Sequence, residues 1–189
     1  MFQKNSIGHI IDILKKDKKT WDQFQSYIVE KEIPSKTTLL AENKIASHIF
    51  FIKRGCLRKW FNKDGKDITF QFFFEGQSVA SFDSFINGEP GLFSIESIEP
   101  SILYVLKKSD FDKLIIANPN VKDLFQNLVF QRLSYYSHLF LSRIKDSPKE
   151  RYMDLLQNQP DIIKRVPQHY IASYLGITSV SLSRIRNRK

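Results

Sequence analysis

The stretch Val166-Pro-Gln-His-Tyr-Ile-Ala-Ser-Tyr-Leu-Gly-Ile-Thr-Ser-Val-Ser-Leu-Ser-Arg-Ile-Arg-Asn-Arg-Lys189 reads as a helix, a tight turn and a second helix. Ile171, Ala172 and Leu175 share one face of a first helix over 168–175, at the i, i+1, i+4 spacing of a buried stripe. Ala172 is small where two helices would cross closely. Gly176 sits where the first helix must stop, and glycine enters the left-handed conformation of such a stop without a Cβ clash. Ile177 packs the turn, and Thr178 offers a side-chain oxygen to cap the second helix. Leu182 and Ile185 give that second helix an inner face. Gln168, Thr178, Ser179, Val180, Ser181, Ser183, Arg184, Arg186, Arg188 and Lys189 are then the candidate DNA-contacting residues. Short donors and acceptors near a helix N-terminus suit base edges, and nearby cations suit phosphates. The plainer reading is an αα-hairpin with a basic tail. The run Ser181-Leu-Ser-Arg-Ile-Arg186 directly after Gly176-Ile-Thr178 favours DNA.

Composition agrees with that partner without selecting it. The formal charge is +9 and the pI about 9.6, a balance that suits nucleic acid first and an anionic membrane surface second. A chain of 189 residues fits one or two small domains, and 16 Phe supply ample core. Cys56 is the single cysteine, so no internal disulfide and no four-cysteine zinc site can form. The N-terminal stretch lacks a signal-peptide core, and no apolar run approaches the ~18 residues that span a bilayer. A cytoplasmic location without a membrane partner is the expectation.

Upstream of the quoted stretch, Ser147-Pro148-Lys-Glu150 is a capping box with the favoured first-turn proline, opening a helix over 148–157 that buries Tyr152, Leu155 and Leu156. Asp146-Ser147 is the expected hinge. Before it, a helix over 120–144 carries a broad apolar stripe. About 25 residues at about 1.5 Å each span roughly 37 Å, more than a small domain covers, so the stripe is expected to pair with a second copy through Leu124, Leu128, Tyr135 and Leu139. A short helix over 109–117 precedes it. Further back the period becomes alternating, with strands expected over 33–40, 48–53, 56–61, 67–74, 94–99 and 101–107. Asp64-Gly65 is a hairpin signal between two of them. The pattern is that of a sandwich or jelly roll. Two amphipathic helices, 5–16 with Ile7, Ile10, Ile11 and Leu14, and 20–31 with Trp21, Phe24, Tyr27 and Ile28, are expected at the start.

This order resembles the Crp/Fnr family of bacterial transcription regulators. The resemblance is carried by Phe50-Phe-Ile-Lys-Arg-Gly-Cys-Leu-Arg58, Asp64-Gly-Lys-Asp-Ile-Thr69 with the aromatic run Phe70 to Phe74, Ser147-Pro-Lys-Glu-Arg151, and Ile171-Ala-Ser-Tyr-Leu-Gly-Ile-Thr178 with Ser181-Leu-Ser-Arg-Ile185. It is similar to the branch common in Bacteroidetes, in which the DNA-binding end is short. The resemblance implies an α+β fold: a cyclic-nucleotide-binding-like sensor domain of N-terminal helices and a β-roll over 1–118, a long dimerisation helix over 119–146, and a helix-turn-helix domain over 147–189. It implies a homodimer, a palindromic double-stranded DNA site, a small-molecule effector in the roll, and RNA polymerase as a further partner open to such a regulator.

Two departures limit what carries over. Cyclic-AMP-binding members hold the cyclic phosphate with an Arg in a short segment of the roll. Here that segment is Gly76 to Ile95, and no cation lies between Glu75 and Tyr104. A desolvated phosphate without a cation is poorly held, so tight cyclic-AMP binding is not expected. Family members also often place Arg and Glu early in the recognition helix, where this chain has Ser179 and Val180.

Phe72, Phe74, Phe82, Phe85 and Phe93 are candidates for an effector pocket, against the plainer reading of core aromatics. Cys56 is expected to be inert, and Arg54, Arg58 and Lys59 to form a solvated basic knot. His9, His48, His138 and His169 lack metal-ligand spacing, and no catalytic set appears. No enzyme activity, cofactor or metal is expected. The runner-up function is a ligand-sensing module acting through a protein partner. A cupin-like metalloenzyme is a more distant third.

Overall fold

The structure is a computed structural model and describes residues 10–187. Ile7, His9, Arg188 and Lys189 lie outside the described residues.

Among the described residues, alternating aromatic and β-branched residues build eight strands: β1 Ile28–Ile33, β2 Thr38–Leu40, β3 His48–Arg54, β4 Leu57–Lys63, β5 Lys66–Phe73, β6 Ser78–Val79, β7 Ser94–Ser97 and β8 Ser101–Lys107. They form two antiparallel four-stranded sheets, ordered β1-β8-β3-β6 and β2-β7-β4-β5. The β4–β5 hairpin turns at Asp64-Gly65, where both residues have positive φ (53° and 78°). That is the pair of left-handed residues a tight two-residue hairpin asks for. Gly55, between β3 and β4, has φ 115°, and a Cβ there would lie 2.8 Å from the Ser101 backbone, so only glycine fits.

The helices are α1 Ile10–Leu14, α2 Lys18–Gln25, α3 Phe82–Asn87, α4 Lys108–Ala117, α5 Pro119–Lys145, α6 Pro148–Asn158, α7 Pro160–Arg165, α8 Gln168–Tyr174 and α9 Ser179–Asn187. The α+β class and the order of elements match the expectation. The start of the chain does not. The helix expected over 20–31 stops at Gln25, and Ile28 opens a strand that pairs with β8 from Ile28↔Leu106 to Ile33↔Ser101. Six paired positions outweigh the weak helical spacing of Tyr27 and Ile28. The expected strand over 33–40 accordingly divides between the end of β1 and β2. The short elements β6, α3 and α7 were not anticipated.

The main core lies between the sheets and under α4 and the first half of α5. Its spine is a chain of edge-on rings: Phe24 on Phe51 at 5.6 Å, Phe51 on Phe125 at 6.3 Å, Phe125 on Phe111 at 4.9 Å and Phe111 on Phe85 at 5.3 Å. α5 starts with Asn118 as cap and Pro119 in its first turn, and buries Val121, Phe125, Leu128 and Arg132. The face expected to pair with a second copy therefore needs correction. Leu128 is buried in the main core, Leu124 packs against it, and Tyr135 and Leu139 are half-buried. The exposed apolar residues are Phe130, Leu133, Phe140 and Ile144, with Val129 and Leu141 beside them. Spacing along the helix could not say which edge of a broad stripe the roll takes.

A second core gathers Tyr152, Leu155, Ile162, Val166, Ile171, Ala172, Tyr174, Leu175 and Leu182, together with Cys56 and Phe72 from the roll. The expected boundary at 147 is thus crossed by packing.

Candidate nucleic-acid interface and its coupling to the roll

α8 and α9 are built by local signals. At the end of α8, Gly176 takes φ 70°, its N–H donates to Ser173 O, and the Ile177 N–H donates to Ala172 O. These are the two bonds of a Schellman stop. Thr178 Oγ1 accepts from the Ser181 N–H at 3.1 Å, capping α9. Arg143 and Arg151 donate to the last carbonyls of the first helix, Tyr174 O at 2.7 Å and Leu175 O at 2.8 Å. The free carbonyls of a helix end attract cations in this way.

α9 turns Leu182 fully inward and Ile185 partly so. Thr178, Ser179, Val180, Ser183, Arg184 and Arg186 stay exposed, Ser181 is half-buried, and Gln168 is exposed at the start of α8. The candidate contact residues within the described region therefore share one accessible end of the molecule. None of the exposed cations on α9 is in an ion pair with a described carboxylate.

The expected aromatic pocket does not assemble. Phe72 lies tilted against Tyr174 at 5.3 Å in the second core, and Phe74 packs beside it. Phe82 and Phe85 lie on α3, with Phe85 in the main core, and Phe93 packs edge-on against Phe70. Strand alternation keeps Phe72 and Phe74, two residues apart, on one face, while Phe82 and Phe85 ride on α3 and Phe93 precedes β7. A cavity of about 250 Å³ lies elsewhere, against Leu40, Lys44, Ala46, His48, Phe50 and Ile95.

The same alternation overturns the solvated basic knot. Arg58 is buried and points towards the helix-turn-helix. It donates to Glu96 at 3.0 Å, Thr69 at 3.1 Å and Asp67 at 3.1 Å. Its guanidinium is sandwiched between Trp60 at 4.7 Å and Tyr170 of α8 at 3.9 Å. Lys59, one residue on, is buried on the other face, over Phe73 and Phe93.

β5 is an edge strand, and α8 covers that edge. The Thr69 N–H donates to Ser173 Oγ at 2.9 Å, and Ser173 Oγ donates to Asp67 O at 3.0 Å. One hydroxyl thus satisfies two groups the sheet leaves free. Arg165, at the end of α7, pairs with both Glu75 and Glu99 of the roll. Burial alone would raise the Glu75 carboxyl. The Arg165 hydrogen bonds, the Gly55 N–H and the Arg165 charge outweigh it and hold Glu75 down to about 2. Cys56 is fully buried between roll and helices, and burial pushes its thiol far up, as an inert cysteine requires. Among the described residues no group of His, Cys, Asp and Glu is placed to hold a metal, and no helix is long and apolar enough to cross a membrane.

Residues 30–118 match the cyclic nucleotide-binding domain family. No curated protein matches the chain. Among solved structures it is similar to FixK2 from Bradyrhizobium japonicum, with a TM-score of 0.72 at 17% identity over 85% of this chain and 83% of that one. A CooA mutant from Carboxydothermus hydrogenoformans superposes with a TM-score of 0.71 at 15% identity over 98% and 84%. A transcriptional regulator described as of the Crp/Fnr family, from Eubacterium rectale, does so at 0.71 and 16% identity over 89% and 81%. Residues 30–118 are thus similar to the cyclic nucleotide-binding domain family, and the chain has the fold of solved regulators described as Crp/Fnr.

Proposed function

We propose that the chain is a homodimeric, DNA-binding transcription regulator whose roll answers an effector other than cyclic AMP. The observation that carries this reading is α9: its inner face is sealed by Leu182, while Ser179, Val180, Ser183, Arg184 and Arg186 are exposed together. A recognition helix needs that division, with polar groups free for base edges and cations free for phosphates. Its first turn is capped internally by Thr178, so the helix is formed before any DNA arrives.

The long helix supports the second half. Phe130, Leu133, Phe140 and Ile144 fall at alternating spacings of three, seven and four along α5 and are 61–68% exposed. That is a coiled-coil-like seam lacking a partner within the chain. A second copy covers it with the same residues, as a two-fold interface requires. Two such chains would present recognition helices to a palindrome with half-sites about 34–36 Å apart. Cyclic AMP is a poor fit, because Gly76 to Ile95 supplies no cation.

The test is a selection of bound sequences from a random DNA pool at fixed moderate salt. An enriched palindrome with half-sites about one helical turn apart supports the reading. If no sequence is enriched either alone or with cell extract added, the reading fails, and a protein partner for the helical end takes its place.

A further inference from the structure

Lys59 on β4 and Arg132 on α5 are both buried, at 4% and 5% exposure, and both lie over the ring of Phe73, at 5.3 and 4.9 Å. Neither has a carboxylate within ion-pair reach among the described residues. The contrast with Arg58 is direct. That guanidinium is equally buried, but it meets Asp67 and Glu96. Buried charges are normally paired, since an uncompensated one forfeits its hydration. Lys59 finds only Tyr136 Oη, at 3.4 Å, a long bond to a neutral oxygen. Arg132 donates to the Ser78 carbonyl at 2.7 Å. The hydroxyl of the same Ser78 is buried with no hydrogen-bond partner. Three elements thus deliver two unmatched cations and an orphan hydroxyl to one place.

We propose that Lys59, Arg132 and Ser78 form a binding site for a compact oxyanion, a phosphate-type dianion, where the roll meets the long helix. A dianion balances the two charges, and its oxygens match the guanidinium fork, the ammonium and the hydroxyl. The anion would displace the weak Lys59–Tyr136 bond. Without it, burial first and then the neighbouring Arg132 charge press Lys59 towards its neutral form. Besides Arg132, the titratable groups of α5 around the pair are Tyr135 and Tyr136, both held protonated by burial. Binding should therefore draw in a proton. It would also tie β4 and β6 to α5 at the point where that helix leaves the roll for its exposed seam. The inference rests on the roll being the effector domain, and it explains how a roll whose Gly76–Ile95 segment has no cation can still take an anion.

The full chain is titrated calorimetrically with inorganic phosphate at constant ionic strength, in two buffers of different ionisation enthalpy, beside Lys59→Met and Arg132→Met. Methionine keeps the aliphatic volume and removes a buried charge, an exchange that usually preserves folding. Expected, at a pH high enough that free phosphate is already the dianion, are saturable binding, net proton uptake, and affinity lower by about tenfold or more in each variant. If Lys59→Met fails to fold, Lys59→Arg serves: binding stays and proton uptake disappears. No phosphate binding by the native protein, equal affinity in native and variant proteins, or tighter binding of cyclic AMP than of phosphate each overturns the site. Operator affinity with and without phosphate is measured separately. If it does not change although phosphate binds, the effector reading falls and the site stands.

Discussion

At the scale of single residues, two arginines separate the proposed DNA contact from domain contact. Arg184 is exposed on α9 and free of described carboxylates, so Arg184→Ala should weaken operator binding by ~1–3 kcal/mol if it reads a base, without lowering thermal stability. A quantitative binding titration at fixed salt checks this, and unchanged affinity would remove Arg184 from the interface. Arg165 acts inwardly through Glu75 and Glu99. Glu75 is held below its ordinary value in the folded chain. Its contribution is therefore fully present above about pH 4.5 and is lost as the pH falls towards 2. Acid denaturation followed from pH 5 to 2 should show this loss in the native protein and a smaller one in Arg165→Gln. Equal pH dependence in both would mean that the pair does not couple the two parts.

At the scale of elements, α6 and α5 carry the clearest predictions. The α6 capping box is complete: Ser147 Oγ accepts from the Glu150 N–H at 3.3 Å, and the Glu150 carboxylate accepts from the Ser147 N–H at 2.7 Å. Ser147→Ala should cost about 0.5–2 kcal/mol in denaturant unfolding. On α5, Phe140 is 65% exposed on the proposed seam, so Phe140→Asp should leave the fold intact and turn the proposed dimer into monomers. Sedimentation velocity, with circular dichroism as the control for folding, decides this. A dimer unchanged by Phe140→Asp would move the interface off this stripe. The seam shows how far the sequence reached. Its length and apolar character are legible in the 120–144 pattern, but of the residues expected to form its face, Leu124 and Leu128 are taken by the roll, while Tyr135 and Leu139 are half-buried beside the C-terminal helices. A stripe wide enough for two partners carries no mark of which partner takes which edge.

At the scale of the whole molecule, the helix-turn-helix is seated on the edge of β5 through Ser173, Tyr170 and Tyr174, and on the roll through Arg165. A change at the roll's inner face has a short path outward, because Lys59 and Arg58 are consecutive residues pointing to opposite sides of one sheet. Charge acts at the same scale. The net +9 and the free cations of α9 predict operator binding that weakens with salt, with a log-log slope of roughly −0.9 for each phosphate neutralised. A salt series with the enriched operator measures it. A slope near zero would mean that the basic end does not face a phosphate backbone.

What the sequence determined by itself was everything set within a few residues: the Gly176 stop, the Thr178 cap, the Ser147 box, the Asp64-Gly65 hairpin, and the alternating or helical periods that order the elements. Backbone sterics and local hydrogen bonds leave such signals little freedom. Tertiary structure decided what depends on distant partners. β1 exists because β8 pairs with it. Arg58 and Lys59 are buried, on opposite faces, because α8 and α5 close over them. Ser173 caps a strand edge 104 residues away. The burial of a charge is a property of what packs on it, and adjacent residues in the chain do not state that.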